Sequence, residues 1–246
     1  MVKYYYKSIH ERTEKLIGEK NMITLKNCGV IVFGLGGVGG YVVEALARTG
    51  VGRISIVDYD IVDATNINRQ IIALSSTVGK YKTELFKDRI ADINEEIKVA
   101  AFREKLTTEN VADYYLEHYD YIVDAIDDVA AKIVLMERAK ALGISIISSM
   151  GTGNKMDPAR FRISDISETH TCPLAKKVRK EAAARGLTGV KVLFSDEKPE
   201  RHDNTGGSPA SISFVPATAG FLIAGEVIRD LIRGAKDGRE EFYTGN

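Results

Sequence analysis

Val30-Ile31-Val32-Phe33-Gly34-Leu35-Gly36-Gly37-Val38-Gly39-Gly40 decides how this chain is read. Four apolar residues of β-branched and aromatic type make a strand that can be buried on both faces. Gly34, Gly36 and Gly39 follow at the G-x-G-x-x-G spacing, and Val38, Val42, Val43 and Leu46 continue at helical intervals. Such a strand–turn–helix leaves free N–H groups at the helix start, and at Gly36 the backbone can meet a phosphate with no Cβ between them. The stretch predicts a nucleotide site without separating NAD, FAD and ATP.

Working outward, apolar strand-like runs recur at Ile54–Val57, Val99–Phe102, Tyr121–Val123 and Ile144–Ile147, with helical patterns over Lys80–Ile93, Val111–Leu116 and Val129–Leu142. Alternation of this kind predicts an α/β fold, a Rossmann-like and mostly parallel sheet with helices on both faces. Residues 1–27 read as a helical arm broken at Gly18, 28–150 as the nucleotide-binding core, and 151–246 as a substrate-side extension of the same domain. In that extension we expect antiparallel strands, at Phe161–Ile166 and near Ile212–Val215, and a further strand at Val190–Phe194. A basic helix over Pro173–Arg185, a mobile polar loop over Ser195–Ser208, a helix over Ala217–Arg233 and a frayed tail beyond Gly234 complete it.

Composition narrows the class. The 246 residues carry 34 basic and 34 acidic side chains, so nucleic-acid binding would rest on a local patch rather than a global field. No apolar run approaches a membrane span and no signal-peptide core is present, which predicts a cytoplasmic protein without a membrane partner. Two cysteines, Cys28 and Cys172, make neither a disulfide framework nor a C-x-x-C pair, so no zinc is expected.

Three constellations carry chemistry. Asp58 lies 19 residues beyond Gly39, where an acid accepts ribose hydroxyls and disfavours an NADP phosphate. Downstream, Lys82, Phe86, Ile90 and Ile93 share one helical face, so Lys82 continues an apolar stripe towards the sheet end, and a phosphate there would compensate its desolvation. Arg69 is placed for a bidentate phosphate grip. The third group is Asp124, Asp127 and Asp128: Asp128 is read as a helix cap, and mutual repulsion among the three favours a hard cation such as Mg²⁺ at Asp127.

Gly34–Gly39, Asp58, Asn66-Ile67-Asn68-Arg69-Gln70, Lys82 and Ala125-Ile126-Asp127 together resemble the adenylating domain of ubiquitin-activating-type enzymes. The resemblance implies ATP-driven adenylation of a carboxylate by a homodimer. It places the nucleotide on Gly34, Gly36, Gly37, Gly39, Asp58, Asp60, Asn66, Arg69, Gln70, Lys82 and Asp127, with Mg²⁺ at Asp127 through phosphate or water. Arg69, Lys82 and Asp127 are the implied catalytic residues, joined by Arg12, similar to the superfamily arginine that reaches the partner's ATP. The two zinc-binding C-x-x-C pairs usual in sulfur-carrier activators are missing. Asp157-Pro158, Cys172-Pro173-Leu174-Ala175, Phe194–Pro199 and Ser211–Ala224 instead resemble the tRNA threonylcarbamoyladenosine dehydratase family, which activates the threonyl carboxylate of a modified adenosine and cyclises it with net loss of water.

The candidate tRNA surface is Lys176, Lys177, Arg179, Lys180 and Arg185, with Lys132, Arg138 and Lys140 as flanking extensions. A non-essential thiol is preferred at Cys172 over a thioester-forming one, and Cys28 reads as a packed side chain. The alternative substrate is the C-terminal carboxylate of a small ubiquitin-like or sulfur-carrier protein, and the pattern leaves room for a sulfur-transfer partner.

Overall fold

The computed structural model describes residues 9–200 and 209–236. An arm of two short helices, α1 (Glu11–Ile17) and α2 (Glu19–Asn27), precedes the sheet and is broken at Gly18, where φ is +85°. Then follow β1 (Gly29–Phe33), α3 (Gly39–Thr49), β2 (Arg53–Val57), α4 (Lys82–Ile93), β3 (Lys98–Phe102), β4 (Tyr121–Asp124), α5 (Val129–Leu142) and β5 (Ser145–Ser149). The second half adds β6 (Phe161–Asp165), α6 (Pro173–Ala184), β7 (Lys191–Ser195) and α7 (Phe214–Lys236).

The seven strands form one sheet in the order β3-β2-β1-β4-β5-β7-β6. All neighbours pair in parallel except β6 with β7, so β6 is an antiparallel edge on a parallel sheet. The chain winds outward from β1 to β3 and then returns to the other side of β1 as β4. The β1/β4 junction is therefore the switch point where a crevice opens beyond the strand C-termini.

Burial follows the alternation of β1. Val30 and Val32 face a core built with Val42, Leu46, Ile223 and Val227 of α3 and α7, while Ile31 and Phe33 pack with Ile122 and Leu135 on the opposite face. A third cluster, including Met136, Val178, Val192 and Phe194, holds α6 against α5 and β7. Each fully buried aliphatic or aromatic side chain contributes about 1.5–3 kcal/mol.

Four expectations change. Residues 111–118 are two 3-10 turns rather than one helix, because Tyr115 between them adopts φ +47°. No strand forms at 212–215: α7 begins at Phe214, Val215 is buried in the core, and Pro216 falls in the first turn, where its missing N–H costs no helical bond. α7 also continues past Gly234 to Lys236. At the other end of β7, Ser195 completes the strand and Glu197 is buried, so this part of the expected mobile loop is packed; residues 201–208 lie outside the described residues, as does the chain beyond 236. Among the described residues no helix is long and apolar enough to cross a membrane.

One polar clamp joins α3 to α4. Glu44 accepts from Arg89 Nε at 2.6 Å and Nη2 at 3.0 Å, and from Arg48 Nε at 2.7 Å. Burial alone would raise the Glu44 carboxyl, but the two arginines outweigh it and hold it below the ordinary 4.5. A folded-state pKa below the unfolded value means stability that is present above pH 4.5 and lost as pH falls through the folded value. Glu44→Gln should therefore lower unfolding free energy at pH 7 by about 1–3 kcal/mol, and urea titrations should show this difference shrinking as the pH falls through the lowered folded-state value.

Candidate active site

The switch-point crevice is a cleft of about 1060 Å³. Its floor is the β1–α3 turn. Gly34 has φ +87°, and a Cβ there would lie 2.7 Å from the Ala125 carbonyl oxygen; a Cβ on Gly39 would lie 1.8 Å from the Gly34 oxygen. Only glycine permits the turn and the start of α3 to close this tightly on the β4–α5 turn. At Gly36 the same addition meets nothing nearer than Gln70 Nε2 at 3.9 Å, so its backbone faces open cleft.

Asp58, at the end of β2, is buried and ties the turn down. Its Oδ2 accepts the Leu35 N–H at 2.6 Å and its Oδ1 accepts the Asp60 N–H at 2.8 Å. Burial pushes its carboxyl up, against the pull of Lys82 and those two N–H groups. Lys82 starts α4 at 3% exposure, alongside buried Phe86 and Ile90, and donates to Asp60 Oδ2 at 2.8 Å. The buried cation expected there is thus already held by a carboxylate that is half open to the cleft.

The intervening segment brings the other candidates to the same wall. Asp63 and Asn66 form a capping box that fixes a short 3-10 turn. Arg69 donates to Thr65 O and Asn68 Oδ1, both at 2.9 Å, and its stem lies against Gly37, whose added Cβ would stand 3.5 Å from Arg69 Cγ. Gln70 is buried with Oε1 lacking a hydrogen-bond partner, an acceptor left for a ligand. Asn66, Arg69, Gln70, Lys82, Asp58, Asp60 and Asp127 all line the cleft with Gly34, Gly36 and Gly37, whereas Gly39 sits beneath it. Arg12 does not line it: it is an exposed residue of α1, a helix with no buried side chain.

The aspartate trio separates. Asp124 is 0% exposed and faces inward, bound to Lys132 Nζ at 3.1 and 3.2 Å and to Ser148 Oγ at 2.6 Å, while its Oδ1 accepts the Ile126 N–H at 3.1 Å. Asp128 caps α5 through Ala131 N–H at 2.8 Å, as expected. Asp127 and Asp128 both border the cleft while Asp124 is neutralised beneath it, so repulsion among all three is not the physical reason for a cation there. A different field is present: the Tyr59 hydroxyl is pushed up by Asp60 first, then by burial, Asp127, Asp58 and Asp128. Those carboxylates bear on one end of the cleft. Among the described residues no group of three or more His, Cys, Asp or Glu forms a metal cage.

The basic patch contracts. Lys176, Lys177 and Lys180 are exposed along α6, but Arg179 donates to Thr169 O and to its Oγ1, the latter at 2.8 Å, tying the helix to the preceding turn. Arg185 pairs with Glu181 and Glu137, and Lys140 donates to Gly186 O at 2.8 Å. Lys132, expected on the surface, is the buried partner of Asp124, while Arg138 has a buried Nε without a hydrogen-bond partner. Cys28 is buried as expected. Cys172 is buried too, in the cleft wall at the start of α6.

Sequence reasoning missed a further part of the cleft lining, formed by Gly151–Lys155 together with Cys172, Pro173 and Leu174. Asn154 organises it. At φ +57° its N–H donates to Ala210 O at 2.8 Å, its Oδ1 accepts the Ala210 N–H at 2.7 Å, and its carbonyl accepts the Glu200 N–H at 2.8 Å. The Gly-Thr-Gly-Asn pattern signalled a turn, but not that the turn walls the cleft.

The ThiF family model matches residues 10–244. The chain belongs to the ThiF family. It is 46% identical to a Bacillus subtilis protein named tRNA threonylcarbamoyladenosine dehydratase, over 90% of this chain and 94% of that one. Its fold is that of Escherichia coli tRNA N6-threonylcarbamoyladenosine dehydratase in complex with ATP, with a TM-score of 0.86 at 34% identity, covering 92% of this chain and 95% of that one. A resemblance of narrower reach is to the Saccharomyces cerevisiae adenylyltransferase and sulfurtransferase UBA4, 33% identical over 65% of this chain but only 36% of that protein.

The Lys132–Asp124 pair also yields a direct test. Removing one partner of a fully buried ion pair costs about 3–5 kcal/mol, so Lys132→Met should destabilise by that order in denaturant titration. Lys132→Met combined with Asp124→Asn should recover much of the loss; two additive penalties would mean that the pair is not the coupled unit seen here.

Proposed function

We infer that the protein is an ATP-dependent dehydratase that cyclises threonylcarbamoyladenosine in tRNA. The observation that carries this reading is end-to-end similarity to proteins of that name, 90% of this chain against 94% of the Bacillus subtilis one, and a cleft at the β1/β4 switch point supports it. The UBA4 likeness motivates the second reading, activation of a small protein's C-terminal carboxylate, but spans barely a third of that protein.

In the proposed reaction a threonyl carboxylate oxygen attacks the α-phosphorus of ATP, the α–β P–O bond breaks, and pyrophosphate departs with the electron pair. A nitrogen or oxygen of the carbamoyl group then attacks the acyl carbon, AMP leaves, and the attacking group's N–H proton is released. Water is thereby removed at the expense of ATP. Ring closure is intramolecular, so no protein nucleophile is needed, in keeping with a buried Cys172. The protein's part is to orient and to stabilise charge. Asp58 suits the ribose hydroxyls, and the β1–α3 turn, Asn66, Arg69 and Lys82 suit the phosphates. For Lys82 this means that phosphate shares the ammonium with Asp60.

Asp127, among the exposed carboxylates that line the cleft, fits Mg²⁺ carried in on the triphosphate, because Mg²⁺ takes few protein ligands and keeps phosphate and water oxygens. The bound ion would neutralise phosphate charge during transfer. The same proposal includes a homodimer in which Arg12 reaches the partner's nucleotide, Lys176, Lys177 and Lys180 as a tRNA-phosphate contact, and a cytoplasmic location.

AMP release should occur with tRNA bearing the linear modification and be absent with unmodified tRNA. Asp127→Ala and Arg12→Ala should each reduce that rate by at least about tenfold, a loss of 1.4 kcal/mol or more in transition-state stabilisation, while thermal unfolding stays near wild type. AMP release driven by a small protein's C-terminus instead would favour the second reading. Wild-type turnover in either variant would remove that residue from the site.

A further inference from the structure

Lys155 follows the Gly151–Asn154 turn that leaves β5, and no nucleotide motif includes it. It forms part of the cleft wall, yet it is only 4% exposed. Its ammonium donates to the Glu197 carbonyl at 2.7 Å. The Glu197 carboxylate is turned to the backbone, where it accepts the N–H groups of Met156 at 2.8 Å and Asp157 at 3.1 Å. Among the described residues Lys155 has a single carbonyl as hydrogen-bond partner and no ion pair, leaving donors of the ammonium unused.

Such a group is costly in isolation. Burial pulls the Lys155 amine below its ordinary value, with the Glu197 carboxylate opposing it. An anion entering the cleft at this wall would relieve that cost and use the spare donors. The nucleotide's phosphates already have Arg69 and Lys82, which come from the segment after β2, on the other side of the β1/β4 junction. The wall beside Lys155 offers Cys172, Pro173 and Leu174, small and apolar groups suited to a monoanion with an organic body rather than to a triphosphate.

We propose that Lys155 is the subsite for the substrate's carboxylate, presenting it to the α-phosphate from the part of the cleft lining that follows β5. This rests on the dehydratase reading above. The carboxylate would meet Lys155 as an anion in the ground state; once its oxygen is esterified to AMP, the charge is gone and the lysine remains as a hydrogen-bond donor to the acyl group.

The test compares two anticodon stem-loop RNAs, one carrying threonylcarbamoyladenosine and the other its methyl ester, by equilibrium binding to the full chain without ATP. Wild type should prefer the acid by about tenfold, the value of a charge-assisted hydrogen bond over a neutral one. Lys155→Gln should bring that ratio close to one, with ester affinity and ATP affinity unchanged, and Lys155→Arg should retain a preference for the acid. ATP affinity and melting temperature report on folding in each variant. A preference that persists in Lys155→Gln, or that is absent from wild type, overturns the subsite while leaving the dehydratase reading in place. Failure of wild type to bind either RNA overturns the dehydratase reading and the subsite with it.

Discussion

The structure depends on how closely two turns can approach. The carbonyl of Gly34 sits where a side chain on Gly39 would have to begin, and Gly34 in turn closes on the Ala125 carbonyl. This contact brings the start of α3 and the end of β4 to one edge of the sheet. The crevice made by the strand order thereby becomes a site with free N–H groups on one side and Asp127 on the other. Asp58 braces the turn from β2, and Asp124 braces the Ala125–Asp127 turn from β4, each by accepting a backbone N–H.

Charge is sorted by depth. Asp124 and Lys132 neutralise each other below the cleft, with Ser148 and the Ser149 carbonyl satisfying the remaining bonds, and so form a frame rather than a reactive group. At the surface of the cleft the compensation is incomplete. Lys82 is shared with an open carboxylate, Gln70 has an unused acceptor, and Lys155 has unused donors. Groups left in that condition are expensive in a resting protein and useful in a liganded one.

Strong local periodicity made much of the fold legible. β1, α3 and α5 lie where the apolar runs and helical spacings place them, and the antiparallel edge β6 is where Phe161–Ile166 suggests it. The misreadings share a cause in tertiary packing. Val215 is β-branched and looks like a strand residue, but it is held in the core as the first turn of α7. Lys132 looks like a surface cation because lysine usually is one, and only the fold reveals Asp124 across the β4–α5 turn. That the β1–α3 turn and the segment between β2 and α4 line one cleft could be read from spacing, since both follow neighbouring parallel strands. Lys155 could not, because its environment is made by Glu197 and Cys172, which later elements bring back to it.

The most direct test is mass spectrometry of nucleosides from tRNA bearing linear threonylcarbamoyladenosine after incubation with the protein and MgATP, handled mildly so that a cyclic product survives. The account predicts ATP-dependent conversion of that nucleoside to a species lighter by one water. An unchanged nucleoside, with ATP bound by the same protein preparation, would contradict it.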